Sequence, residues 1–79
     1  MRVRMYSTSW CSDCWRAKSF LREHGIKFDE VDIERDDEAA QLVIRQNDGR
    51  RTVPTFDIDG EYYGNPRIPV LAQILGVPT

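Results

Sequence analysis

The sequence of 79 residues contains only two cysteines, one histidine and five glycines. Two cysteines are too few for the disulfide framework of a small secreted domain. No apolar run approaches the roughly 20 residues that a transmembrane helix requires, and no signal-peptide apolar stretch follows the N-terminus. These absences favour a cytoplasmic protein, where a close cysteine pair is more often catalytic or metal-binding than structural.

A surplus of positive charge is also missing. Eleven Lys and Arg residues against thirteen Asp and Glu residues give a formal net charge of −2. A nucleic-acid-binding protein normally carries a basic surplus on one face, so this class is not expected. Hydrophobic residues make up 41% and charged residues 30%, which is typical of a globular chain. We therefore expect a single domain over residues 1–79, which acts as a monomer without nucleic-acid or membrane partners.

The hydrophobic pattern predicts a mixed α/β domain. Alternating or β-branched apolar residues predict the strands, which are Val3–Tyr6, Ile26–Ile33, Thr52–Ile58 and, after an Asp-Gly turn, Glu61–Tyr63. Apolar residues at helical spacing predict the helices, which run from the Cys11 region to His24, from Asp36 to Asn47, and from Asn65 or Pro69 to Leu75. A helix crossover makes the first two strands parallel, and the tight turn makes the last two antiparallel.

Cys11 and Cys14 form a Cys-x-x-Cys motif where the first strand gives way to a helix. Unpaired backbone N–H groups and the helix dipole at a helix N-terminus favour the thiolate form of Cys11. Cys14 lies one turn further in, closer to the core and within reach of Cys11. The pair therefore predicts thiol–disulfide exchange, with Cys11 as the nucleophile and Cys14 as the resolving thiol.

Three other interpretations of the cysteine pair are weighed against redox chemistry. A zinc site needs about four ligands, and Cys11, Cys14 and His24 do not supply them within one chain. The metal alternative is therefore a metal or iron–sulfur site shared by two chains. A structural disulfide would close a short loop and stabilise little, and the third alternative is a chance pair of core cysteines.

Three segments together resemble the glutaredoxin-like members of the thioredoxin superfamily. Among these members, the segments look most like those of the mycoredoxin branch. They are Thr8-Ser9-Trp10-Cys11-x-x-Cys14, Val31-Asp32-Ile33-Glu34 and Arg51-Thr52-Val53-Pro54-Thr55. The resemblance implies a thioredoxin fold, which is a four-stranded mixed sheet flanked by three helices, with a cis peptide bond between Val53 and Pro54. It also implies that the backbone of Val53 pairs with an extended substrate.

The resemblance also implies the partners and the remaining site residues. The predicted substrate-binding residues are Trp10, Arg51, Val53, Pro54, Gly64 and Asn65. The predicted partners are disulfide-containing proteins and a small thiol, mycothiol or glutathione, or else a reductase. No bound cofactor or metal is expected.

Departures from the glutathione-dependent pattern bear on which thiol is used. Such members usually have Lys at the position of Thr8, Pro-Tyr at the position of Ser12-Asp13, and an acid at the position of Arg67. These differences favour mycothiol as the co-substrate. The alternative is a hydrogen donor to ribonucleotide reductase that thioredoxin reductase regenerates, although the Trp-Ser-Gly-Phe-like ending of those proteins is missing.

Overall fold

The computed structural model describes all residues, 1–79, as a sheet of four strands with three helices. The strands are β1 (Val3–Ser7), β2 (Asp29–Asp32), β3 (Thr55–Ile58) and β4 (Glu61–Gly64). The helices are α1 (Ser12–Glu23), α2 (Asp37–Gln46) and α3 (Ile68–Leu75). β1 pairs in parallel with β2 and antiparallel with β3, which pairs antiparallel with β4, so the strand order is β2-β1-β3-β4. The predicted architecture is confirmed, and no helix has the length and hydropathy that crossing a membrane requires.

Helices cover both faces of the sheet. Side chains alternate along each strand, so apolar residues of the strands point towards the helices on either face. Val3 and Met5 of β1 face α1 and α3, whereas Tyr6 faces α2. The larger cluster, on the α1 and α3 side, consists of Val3, Met5, Ala17, Phe20, Leu21, Phe56, Ile58, Leu71, Ala72 and Leu75. The smaller cluster consists of Tyr6, Ile33, Ala39, Ala40 and Val43. The larger cluster fixes α1, and with it the cysteine motif, against the sheet.

The second strand is shorter than the predicted Ile26–Ile33. Gly25 adopts a left-handed conformation with a φ of 64°, and the N–H of Ile26 donates to the carbonyl of Leu21 at 2.9 Å. This turn closes the end of α1, so pairing with β1 starts only at Asp29, opposite Arg4. Ile26 and Phe28 still pack against the larger cluster, which explains their apolar character.

Two further predicted boundaries were wrong. β3 begins at Thr55 rather than Thr52, since its ladder with β1 starts at the pair Tyr6–Thr55. α3 begins at Ile68, one residue before the predicted start at Pro69; the other predicted start, Asn65, is wrong, because Asn65 has a φ of 43° and its N–H donates to the carbonyl of Pro54 at 2.7 Å. Pro69 lies in the first turn of α3, where its missing N–H removes no helical hydrogen bond.

The N-terminus of α2 gives a stability prediction. A side-chain oxygen of Asp36 accepts a hydrogen bond from the N–H of Ala39 at 3.0 Å. Asp36→Ala is expected to lower the free energy of unfolding by about 1 kcal/mol, because that donor loses its cap. Asp36→Asn keeps an acceptor and is the matched control, with a change of only a few tenths of a kcal/mol expected. Urea denaturation measures both, and equal losses in the two variants would contradict the capping role.

Candidate active site

Cys11 is the N-cap residue of α1, at the end of the loop that leaves β1. Its Sγ accepts a hydrogen bond from the backbone N–H of Cys14 at 3.0 Å. On the other side, the thiol donates to the carbonyl oxygen of Val53 at 3.8 Å. Cys11 is half-buried, so an incoming disulfide can reach its sulfur. The N–H of Cys14 and the N-terminus of α1 direct positive partial charge at that sulfur, while the Val53 carbonyl accepts a hydrogen bond from its thiol form.

Cys14 is in a different environment, with only 2% of its surface exposed. Burial raises the pKa of the Cys14 thiol from 9.0 to about 12, and its hydrogen bond with Cys11 adds to the shift. Cys14 is therefore a neutral thiol at physiological pH. Both cysteines are free thiols in this structure. The geometry gives one reachable sulfur and one protected sulfur, which is the difference that a nucleophile and a resolving thiol require.

The contrast between the two thiols predicts their labelling. Burial and the raised pKa of Cys14 leave little of that thiol ionised at pH 8, so iodoacetamide should modify Cys11 much faster than Cys14. Urea at the same pH unfolds the chain, exposes both thiols and should bring the two rates together. Peptide mapping after a timed pulse under each condition measures the two sites separately. Labelling of Cys14 as fast as Cys11 at pH 8 would contradict the assigned environments.

The segment before β3 lies against Cys11. The peptide bond between Val53 and Pro54 is cis, which confirms the prediction. Pro54 is buried and Val53 is half-buried, with its carbonyl oxygen directed at Cys11. The Asn65 N–H donates to the Pro54 carbonyl, which ties the end of β4 to this segment. Three predicted site residues, Val53, Pro54 and Asn65, therefore lie together beside the nucleophile.

Asp13, between the two cysteines, has its charge largely compensated. Asn65 Nδ2 donates to Asp13 Oδ2 at 3.2 Å, and Arg16 Nη1 lies 3.4 Å from Asp13 Oδ1. These residues and Arg67 line a cavity of about 260 Å³ beside α1. Arg16 thus weakens the unfavourable effect of Asp13 on a nearby thiolate.

Lys18, also on α1, pairs with Glu30 on β2. Lys18 Nζ lies 2.7 Å from Glu30 Oε2, and Ser7 Oγ donates to the same oxygen at 2.8 Å. Burial opposes ionisation of Glu30, but the hydrogen bonds from Lys18 and Ser7 outweigh it and lower its pKa. This ion pair lines a second cavity, of about 180 Å³, with both cysteines and Thr8. Sequence reasoning missed Glu30, because it stood in an acidic run that is typical of a solvated face.

The remaining predicted site residues, Trp10, Arg51 and Gly64, are exposed. Trp10 is 68% exposed and Trp15 is 70% exposed, one on each side of the cysteine pair along the chain. Arg51 is exposed and forms no salt bridge. Gly64, at the end of β4, lies against the side chain of Asn47. Substrate contacts of Trp10, Arg51 and Gly64 stay predictions.

Metal-ligating side chains do not gather at the motif. His24 is at the opposite end of α1, where its ring lies 4.5 Å from that of Phe20 between centroids. No group of three or more His, Cys, Asp or Glu residues has an arrangement that could hold a metal ion. A metal site at Cys11 would therefore need ligands from outside this chain.

Comparison with known proteins agrees with this geometry. A family model described as Glutaredoxin matches residues 3–63, which include both cysteines and the Val53-Pro54 segment. The chain belongs to the glutaredoxin family. It is therefore a thiol redox protein whose Cys11–Cys14 pair is the Cys-x-x-Cys motif of a family of thiol–disulfide oxidoreductases.

Two relatives and one solved structure show how far the similarity to this glutaredoxin extends. A Mycobacterium tuberculosis protein that carries the name glutaredoxin is 48% identical over 65 residues, covering 81% of this chain and 77% of that one. Mycoredoxin 1 of Corynebacterium glutamicum is 39% identical over 75 residues, covering 91% of each chain. The crystal structure of a mutant thioredoxin-like protein superposes with a TM-score of 0.86 at 27% identity, covering 98% of this chain and 97% of that one. The predicted thioredoxin fold is confirmed.

Proposed function

We propose that this glutaredoxin reduces mixed disulfides between proteins and a small thiol, and protein disulfides, as a mycoredoxin-type oxidoreductase. The observation that carries the proposal is the contrast between the two sulfurs. Cys11 is reachable and hydrogen-bonded by the N–H of Cys14, whereas Cys14 is buried and protonated. A nucleophile that reacts first and a partner that reacts second need this contrast.

The reaction begins when the Cys11 thiolate attacks one sulfur of the substrate disulfide. The S–S bond breaks, a new disulfide forms at Cys11, and the departing sulfur leaves as a thiolate that takes a proton from water. A second small thiol then attacks the sulfur of the thiol bound to Cys11 and leaves with it as a small-thiol disulfide, or Cys14 loses its proton and attacks the Cys11 sulfur, which releases the bound thiol. The first route regenerates the Cys11 thiolate, and the second leaves a Cys11–Cys14 disulfide. The high pKa of Cys14 keeps its thiolate scarce at neutral pH, which favours the route through the small thiol.

The substrate is proposed to lie extended beside Val53. The Val53 carbonyl is next to the Cys11 sulfur, so a substrate strand that pairs with the Val53 backbone has its own cysteine beside Cys11. Trp10 offers an exposed ring immediately before Cys11 for an apolar side chain of the same substrate. Arg51, two residues before Val53, has its charge free for a carboxylate on the substrate or the small thiol.

Mycothiol is proposed as the small thiol. Glutathione carries an ammonium group, which needs an acid, and both oxygens of Asp13 are already engaged by Asn65 and Arg16. Arg67 adds positive charge to the same cavity and disfavours an ammonium there. The similarity to Mycoredoxin 1 over 91% of each chain supports this choice. We propose that the protein acts in the cytoplasm, as a monomer.

The test uses a Cys14→Ser variant, which cannot form the internal disulfide. It is incubated separately with mycothiol disulfide, with glutathione disulfide and with neither, and its intact mass is then measured. The expected result is one mycothiol adduct on Cys11 and little or no glutathione adduct. An adduct with glutathione alone would overturn the choice of thiol. No adduct with either would overturn the small-thiol function and leave a dithiol exchanger that thioredoxin reductase regenerates, with ribonucleotide reductase as a substrate to test.

A further inference from the structure

A chain of hydrogen bonds connects the end of α2 to the segment that carries Val53. Asn47, the C-cap residue of α2, donates through Nδ2 to the carbonyl of Val43 at 2.7 Å and to Thr55 Oγ1 at 3.1 Å. Thr55 Oγ1 in turn donates to the carbonyl of Thr52 at 2.8 Å. Thr55 is fully buried, so water cannot replace these partners. The bonds therefore hold Thr52 in place, immediately before Val53.

Gly64 gives the Asn47 side chain the room that it occupies. A Cβ atom built on Gly64 would overlap Asn47 Oδ1, and it would lie 3.3 Å from Asn47 Cγ and 3.5 Å from Thr52 Cγ2. The backbone of Gly64 is not in a left-handed conformation, so this close approach is the structural reason for a glycine here. Any other residue at this position must displace the Asn47 side chain or shift the backbone of Gly64.

We propose that Asn47 is a positioning residue for the active site, which acts through Thr55 and Thr52 to hold Val53 against Cys11. The role of Gly64 in this arrangement is to leave space for the Asn47 amide. The inference rests on the proposed function, in which an extended substrate pairs with the Val53 backbone. The Asn65 N–H anchors Pro54 from the other side, so the Asn47 bonds are what fixes the Thr52 end of the segment. A loosened segment would pair less well with substrate, while Cys11 would keep its hydrogen bond from the Cys14 N–H and lose only its 3.8 Å contact with the Val53 carbonyl.

The test is a double-mutant cycle on Asn47 and Gly64. Asn47→Ala and Gly64→Ala should each raise the KM for a protein–small-thiol mixed disulfide by about tenfold. The rate at which iodoacetamide alkylates Cys11 should change much less than the KM, since Cys11 keeps the hydrogen bond from the Cys14 N–H and loses only its long contact with Val53. The double variant should be no worse than Asn47→Ala, because the side chain that a Gly64 Cβ would displace is already gone. Thr55→Val, which keeps the shape of the side chain and removes the hydroxyl, should raise the KM to a similar extent.

Each outcome decides the inference. Additive effects of Asn47→Ala and Gly64→Ala would mean that Gly64 contacts substrate directly, and an unchanged KM in Asn47→Ala would mean that Asn47 has no positioning role. Either result would overturn the inference. If the wild-type protein does not turn over the mixed disulfide, the proposed function fails, and the inference is then decided by NMR. In that case the Thr52 and Val53 amide signals must shift in Asn47→Ala while those of the Ser12–Glu23 helix do not.

Discussion

Replacing Cys11 by Ser is expected to reduce the turnover of a mixed disulfide by at least about 10³-fold, because a serine hydroxyl does not ionise at neutral pH and forms no disulfide. Cys14→Ser is the matched control. It replaces the side-chain sulfur by oxygen one helical turn away, and it keeps the backbone N–H that donates to Cys11 Sγ. With a small thiol as the reductant, Cys14→Ser should keep turnover within about tenfold of the wild type, since the small thiol can release the substrate by itself.

The two variants are compared by the rate at which small thiol is released from a modified protein. Circular dichroism of each variant shows that the fold is intact, so that a loss can be assigned to chemistry. Retained turnover in Cys11→Ser would contradict the assignment of the nucleophile. Equal losses in the two variants would contradict the route through the small thiol and favour an obligatory dithiol mechanism.

Phe56→Ala is expected to lower the free energy of unfolding by about 3–5 kcal/mol, which is the usual cost of removing a buried ring and leaving a cavity. Phe56 is fully buried in β3, opposite Met5 of β1 and Tyr63 of β4, at the centre of the larger cluster. A domain of this size is typically stable by only about 4–12 kcal/mol, so the loss would bring the variant close to unfolding. Urea denaturation measures it. Trp15→Ala, at an exposed position, is the control and should change stability by no more than about 0.5 kcal/mol. A loss below about 1 kcal/mol in Phe56→Ala would contradict the packing described for β3.

The parts of the fold and site that local patterns encode could be predicted from the sequence. The Cys11–Cys14 spacing and the Val53-Pro54 pair are short motifs, and both lie where the prediction placed them, on α1 and beside it. The apolar stripe of α1 was correct because every fourth or third residue, such as Cys14, Ala17 and Leu21, is buried against the sheet.

The parts that depend on tertiary contacts could not be predicted. Ile26 and Phe28 alternate like strand residues, but the turn at Gly25 directs them towards the core below α1 instead of along β1. The Asn-Asp-Gly sequence at Asn47 indicated a helix end, and that is what it forms. The proposed positioning role of Asn47 depends on β3 and β4, which bring Thr55 and Gly64 to its side-chain amide. The spacing of residues along the chain does not reveal these contacts. The pairing of Lys18 with Glu30 likewise depends on β2 lying beside α1.

The proposed function requires Cys11 to take a small thiol from a modified protein. The most direct measurement mixes the reduced wild-type chain with a protein blocked by mycothiol on one cysteine, and follows both proteins by intact mass with time. We expect the mycothiol group to leave the blocked protein and to be found first on Cys11, before free mycothiol or the Cys11–Cys14 disulfide accumulates. A blocked protein that stays modified, while the same chain reduces an unmodified protein disulfide through Cys11 and Cys14, would contradict it.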